Sequence, residues 1–174
     1  VSYPERNKYI CNLVKGLTGN TLVLFQLIEK HGNILHSILE EIIDSSRKIF
    51  FVYGGTDADT REKVRELVEK EKDAIICASY GVYSTGINIR NLHNIVFASP
   101  SKSRIRNLQS IGRGLRKSDT KEAATLYDIS DDLSYNGKRN YTLNHFIERV
   151  KIYTSEYFPY HIYTIPIQTI TDSL

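Results

Sequence analysis

Gln109-Ser110-Ile111-Gly112-Arg113-Gly114-Leu115-Arg116-Lys117 reads as a helix with two unlike faces. Gln109, Gly112, Arg113 and Arg116 recur at helical spacing and share one side. Ile105, Leu108, Ile111 and Leu115 form an apolar stripe on another. Such a helix buries one side and aims an amide, a bare backbone and two guanidiniums elsewhere. A glycine inside a helix costs about 1 kcal/mol relative to alanine. Two glycines in one turn therefore point to something that comes close to the backbone. Planar, permanently charged forks beside a glycine suit phosphate. The spacing by itself fits a basic amphipathic surface helix with a fraying end equally well.

The flanking sequence favours phosphate. Ala74 to Ser118 contains no Asp or Glu, yet it holds Arg90, Lys102, Arg104, Arg106, Arg113, Arg116 and Lys117. The whole chain carries only +3. Positive charge is thus concentrated in this span, and a one-sign field attracts phosphates. The overall pI of about 8.8 is weak evidence for nucleic acid by itself.

Outward from this helix, short apolar runs alternate with amphipathic ones. Strands are expected over Thr21 to Phe25, Ile49 to Tyr53, Ala74 to Ala78, Ile95 to Ala98 and Thr125 to Ile129. Helices are expected over Glu5 to Leu17, within Leu27 to Ile43 after Gly32, over Arg61 to Lys72, and over Asn140 to Phe158. Asp59 or Thr60 offers a cap for the third of these, with Val64, Leu67 and Val68 facing inward. His161 to Ile167 reads as a short extra strand. Unbroken apolar strands alternating with helices indicate a mainly parallel sheet covered on both faces. Ligands of such sheets gather at the carboxyl ends of the strands. Gly54-Gly55, the turn from Gly81 to Gly86, and the Pro100 loop all follow strands directly and belong to that edge.

At 174 residues, with 41 % hydrophobic and 25 % charged residues, the chain suits one domain with a true core. Cys11 and Cys77 sit among apolar neighbours, which fits two buried free thiols and a reducing cytoplasm. No Cys/His cluster suggests a metal, no apolar run is long enough to span a membrane, and no signal peptide is visible. Methionine is absent throughout, so a piece of a longer protein is expected.

Several motifs fail on inspection. Gly81-Val82-Tyr83-Ser84-Thr85-Gly86 has P-loop glycine spacing, but Ile87-Asn88 follows where Lys-Ser/Thr is needed. Gly112-Arg113-Gly114 opens like a dinucleotide fingerprint, but Lys117 replaces its third glycine. The five histidines are scattered and read as surface or packing residues. Asp128, Asp131 and Asp132 could hold magnesium, although a polar strand-end loop accounts for them as well. Tyr153, Tyr157, Tyr160 and Tyr163 fit packing better than base stacking.

Three segments carry a resemblance. They are Tyr53-Gly54-Gly55-Thr56, then Ala78 to Ile89, then Gln109 to Arg116. In this order they are similar to the second motor domain of superfamily 2 helicases, with the detail nearest to bacteriophage repair and recombination members. The resemblance runs from about Pro4 to Asp132. It implies a RecA-like three-layer α/β fold with a mainly parallel sheet over residues 1–139. Residues 140–174 would add a helix and short strand, packed on that domain or on a missing neighbour. Arg113 and Arg116 would be arginine fingers reaching ATP, and Gln109 would help position the phosphates or the attacking water. Gly86 and Asn88 would lie beside the nucleotide. Gly55, Thr56, and Ser79 or Tyr80 would lie along the nucleic-acid backbone, with Lys102 and Arg104 as further DNA contacts. Relatives often carry Thr where Ser79-Tyr80 stands, which leaves open which of the two touches phosphate. The resemblance further implies a first RecA-like domain in the same longer chain. That domain would hold most of the ATP and Mg2+ and would supply the P-loop lysine and the acidic motif that this chain lacks.

The expected function is the C-terminal motor domain of an ATP-dependent DNA helicase acting on branched DNA in recombination and repair, without a membrane partner. It would work in the cytoplasm, that of the host if the protein is viral. The fragment alone is expected to be inactive. Two rivals remain open at this point: the motor of a duplex translocase that does not separate strands, and a basic nucleic-acid-binding module without ATP chemistry. A phosphate-binding regulatory domain has no motif in its favour.

Overall fold

A computed structural model describes residues 3–84, 89, 91–99, 124–138 and 140–167, with the side chains of 83 and 84 left aside. Five strands form one sheet: β1 (Thr21–Phe25), β2 (Ile49–Val52), β3 (Ile75–Ser79), β4 (Asn94–Phe97) and β5 (Thr125–Asp128). Their spatial order is β2-β3-β1-β4-β5, and every pairing is parallel. The α/β reading of the sequence therefore holds. The helices are α1 (Pro4–Gly16), α2 (Asn33–Ile42), α3 (Ala58–Lys70), the short α4 (Tyr80–Ser84) and α5 (Tyr141–Ser155).

Strand alternation divides the core into two layers. Val23, Phe25, Ile75, Cys77 and Val96 face α1 and α2, where they meet Ile10, Cys11, Val14, Leu35 and Leu39. Leu22, Leu24, Ile76, Ala78, Ile95 and Phe97 face the other way and meet Val68 of α3, Val82 of α4 and Tyr153 of α5. The central strands β1, β3 and β4 are buried along their whole lengths. That is the pattern of strands covered on both faces.

Asn20 ties the amino-terminal edge of the sheet together. It is fully buried. Its Nδ2 donates to the carbonyls of Val68 at 3.1 Å, Glu71 at 2.8 Å and Asn91 at 2.9 Å. Its Oδ1 accepts from Ala74 N at 2.8 Å. One side chain thus joins the end of α3 to the starts of β1, β3 and β4.

The structure corrects three local expectations. Asp57, not Asp59 or Thr60, caps α3, accepting from Thr60 N at 2.8 Å. Leu67 is 45 % exposed, while Val68 is fully buried, so the inward face of α3 is narrower than its pattern implied. Residues 161–167 form no strand, and Tyr157 and Tyr163 are exposed in this chain, which leaves open their packing on a neighbour. The second helix starts after Gly32 as expected, and a π-helical turn, Ile28–Gly32, precedes it. Gly32 permits it: a Cβ there would lie 2.4 Å from Cε2 of the buried Phe25 ring.

Candidate functional site

Because all five strands run the same way, their carboxyl ends define a single edge. β2 ends there in the turn Tyr53-Gly54-Gly55-Thr56. Thr56 N donates to Tyr53 O at 2.9 Å, and Tyr53 N donates back to Thr56 Oγ1 at 3.1 Å. The hydroxyl proton of Thr56 has no acceptor among the described residues. Gly54 and Gly55 are exposed. β3 ends beside it, since Val52 pairs with Ala78. Gly55 and Thr56 therefore lie at the end of the strand next to that of Ser79 and Tyr80.

Both of these last two are buried. Ser79 is 7 % exposed and Tyr80 2 %. The Tyr80 ring belongs to the core and meets Phe97 with centroids 5.7 Å apart. Its apolar body is used for packing, and the ring does not face solvent. Gly86, Asn88, Lys102, Arg104, Gln109, Arg113 and Arg116 lie outside the described residues.

The acidic residues at and beyond the end of β5 are engaged by protein partners. Asp128 accepts two bonds from Arg149, at 2.6 and 2.9 Å, and a third from the Tyr153 hydroxyl at 2.7 Å. Burial, then the Asp128 carboxylate, pushes the Tyr153 phenol well above its usual range. Asp131 accepts from Arg6 Nε at 2.5 Å. No metal-ligating group of three such side chains occurs among the described residues. Both cysteines are buried thiols, with burial raising Cys11 to about 12 and Cys77 further still. Neither is a nucleophile at neutral pH. No helix among the described residues is long and apolar enough to cross a membrane.

Sequence reasoning passed over Arg6 and His31. Arg6 is 3 % exposed and His31 fully buried, and both stand at the same carboxyl edge. The partners of Arg6 lie 92 and 125 positions away. No local pattern announces such a residue. For His31 the only signal was its place beside Gly32, where the chain passes close to the core.

The helicase conserved C-terminal domain model matches residues 5–118. The ATP-dependent DNA helicase uvsW of Enterobacteria phage T4 is 38 % identical, with the match covering 92 % of this chain and 34 % of that protein. The chain thus spans about a third of the length of that relative. The crystal structure of T4 UvsW superposes with a TM-score of 0.70 at 39 % identity, over 87 % of this chain and 33 % of that one. The C-terminal domain of the DEAD-box protein Dbp5 shares the fold, with a TM-score of 0.62 at 14 % identity over 88 % of this chain and 81 % of that one. Domain 2 of the DEAD-box helicase Mss116p does so at 0.58 and 17 %, over 73 % and 52 %. Parallel strand order, two-sided core and sequence agree, and the chain belongs to the helicase conserved C-terminal domain family.

Proposed function

We propose that this chain is the second motor domain of an ATP-dependent DNA helicase acting on branched DNA in recombination and repair. The observation that carries this reading is the match over 92 % of the chain to an ATP-dependent DNA helicase. A first RecA-like domain of the same longer chain would form the opposite wall of a cleft. ATP and Mg2+, held mainly by that first domain, supply the phosphoryl group and the charge that offsets it. The donor set here suits such a guest: two guanidinium forks and an amide share one predicted helix face inside an acid-free span.

Arg113 and Arg116 stabilise charge on the γ-phosphate oxygens as it spreads in the transition state. Gln109 orients the phosphates or the water. Gly86 and Asn88 border the nucleotide. At the β2 and β3 ends, exposed Gly55 lets a strand backbone come close, and the Thr56 hydroxyl has a proton to give to a phosphate oxygen. With the Tyr80 ring committed to the core, Ser79 is the better candidate of that pair for a side-chain contact. Lys102 and Arg104 would extend the track. Closing and opening of the cleft would move this wall along the strand.

The test is steady-state kinetics on the full-length enzyme with saturating DNA. Arg113→Ala or Arg116→Ala should lower turnover by roughly 10³ to 10⁵, as arginine fingers do elsewhere, while ATP and DNA still bind. Lysine should rescue poorly, since it lacks the planar fork. Near-normal turnover with lost DNA affinity would instead make this face a binding module without ATP chemistry. Strand-displacement assays on branched DNA separate the helicase from a duplex translocase.

A further inference from the structure

A polar cluster that none of the motifs contains lies where the carboxyl ends of β1 and β4 meet. Arg6, in the first turn of α1, donates from Nη2 to Ala98 O at 2.8 Å and from Nε to Asp131 at 2.5 Å. His31 Nδ1 and Ser99 Oγ are 2.5 Å apart. Ser99 is 6 % exposed, and the other members are as deeply placed or deeper, apart from Asp131.

This arrangement is not the one that stability alone would select. A buried ion pair is often no better for stability than apolar residues of the same volume. Here it also leaves Arg6 Nη1 and His31 Nε2 buried without a partner among the described residues, and such groups call for an explanation. What the cluster does do is specific. Arg6 and His31 grip two consecutive residues, Ala98 and Ser99, directly after β4. The chain then continues through the segment that carries Gln109, Arg113 and Arg116. Asp131 holds the second edge of the Arg6 fork from beyond β5.

We infer that Arg6 and His31 are positioning residues for phosphoryl transfer: they fix where the chain leaves β4, and so where the arginine-bearing segment begins. This rests on the proposed motor function. Small displacements of a charge-stabilising group are expensive, with about 1 Å of misplacement able to lower a rate roughly 10²-fold. A two-point grip at the root of the segment opposes such displacement.

The full-length enzyme is assayed for DNA-stimulated ATP turnover, with Arg113→Ala as the reference. Ser99→Ala removes one oxygen and keeps the fold best among these variants. It should lower kcat roughly tenfold, with the KM for ATP and the Kd for DNA within about twofold. Ser99→Thr keeps the hydroxyl and should retain turnover. Arg6→Lys keeps the charge but loses the fork, and should fall like Ser99→Ala. His31→Ala combined with Ser99→Ala should be no slower than the slower single variant, because both remove one contact. Should His31→Ala fail to fold, the Ser99→Ala and Ser99→Thr pair decides. Unchanged kcat in Ser99→Ala and Arg6→Lys, or losses that multiply in the double variant, overturns the inference. If Arg113→Ala is inactive while Ser99→Ala keeps its kcat, only the inference fails. If Arg113→Ala itself turns over normally, the motor reading fails and takes the inference with it.

Discussion

His31 is held uncharged by its surroundings. Burial lowers its pKa from 6.5 to about 4, and the Arg6 guanidinium adds to the effect. A histidine depressed in the folded state takes up its proton more readily when unfolded. Its contribution to stability is therefore complete above pH 6.5 and is lost as pH falls from 6.5 towards 4. A tenfold difference in proton affinity between the two states corresponds to about 1.4 kcal/mol, so the full loss is on the order of 3 kcal/mol. Urea unfolding of the wild type at about pH 7 and at about pH 4.5 should show a large drop in stability. His31→Gln cannot titrate, so its drop should be smaller by most of that amount. Equal drops in the two proteins would mean that the His31 pKa is the same in the folded and unfolded states. The same residue shows why one histidine in five can matter without a motif. Nothing adjacent to His31 in sequence predicts Ser99, which lies 68 positions away.

Among the elements, α5 depends most on a single contact. Arg149 is 1 % exposed and holds Asp128 with two bonds, while Tyr153, one turn further along α5, holds the same carboxylate. Breaking a buried pair by removing one partner leaves an uncompensated charge and costs about 3 to 5 kcal/mol. Arg149→Ala should destabilise by that much in a denaturant titration. The double change Arg149→Met with Asp128→Asn should recover a good part of it; failure to recover any would assign the loss to packing against Phe146 and not to charge. The strands that α5 covers were legible in sequence because they are continuous apolar runs between turn residues, and Thr21 to Phe25 matched to the residue. The start of α3 was harder, since Thr56, Asp57, Asp59 and Thr60 can all cap. The turn settles it: Thr56 Oγ1 is already occupied by Tyr53 N, so Asp57 is the first side chain available. The turn Ile28–Gly32 was invisible because its cause, the fit of Gly32 on Phe25, is a tertiary contact. Residues 161–167 alternate like a strand but pair with no strand among the described residues, and Pro166 has no amide proton to offer one.

At the scale of the whole molecule, charge is divided unevenly. Residues 74–118 hold seven cations and no anion, which leaves the rest of the chain at −4. Such a molecule orients itself towards a polyanion before any specific contact forms. Nothing in the span suggests a helix shaped to read base edges, so binding by this chain alone should be weak and indifferent to sequence. Its contacts should be mostly to phosphate, and log affinity should fall with log salt by roughly 0.7 to 0.9 for each phosphate neutralised. Fluorescence anisotropy over a salt series measures that slope. Lys102→Ala and Arg104→Ala should each weaken binding on every sequence tested and flatten the slope by about one phosphate's worth. Arg113→Ala and Arg116→Ala should leave the slope nearly unchanged if those forks face a nucleotide in the intact enzyme. The same preparation should release no phosphate from ATP, with or without DNA, because the P-loop lysine and metal carboxylates are expected on the first domain. A salt slope that responded to Arg113 and Arg116 but not to Lys102 and Arg104 would reverse the assignment, giving DNA to the first pair and not to the second.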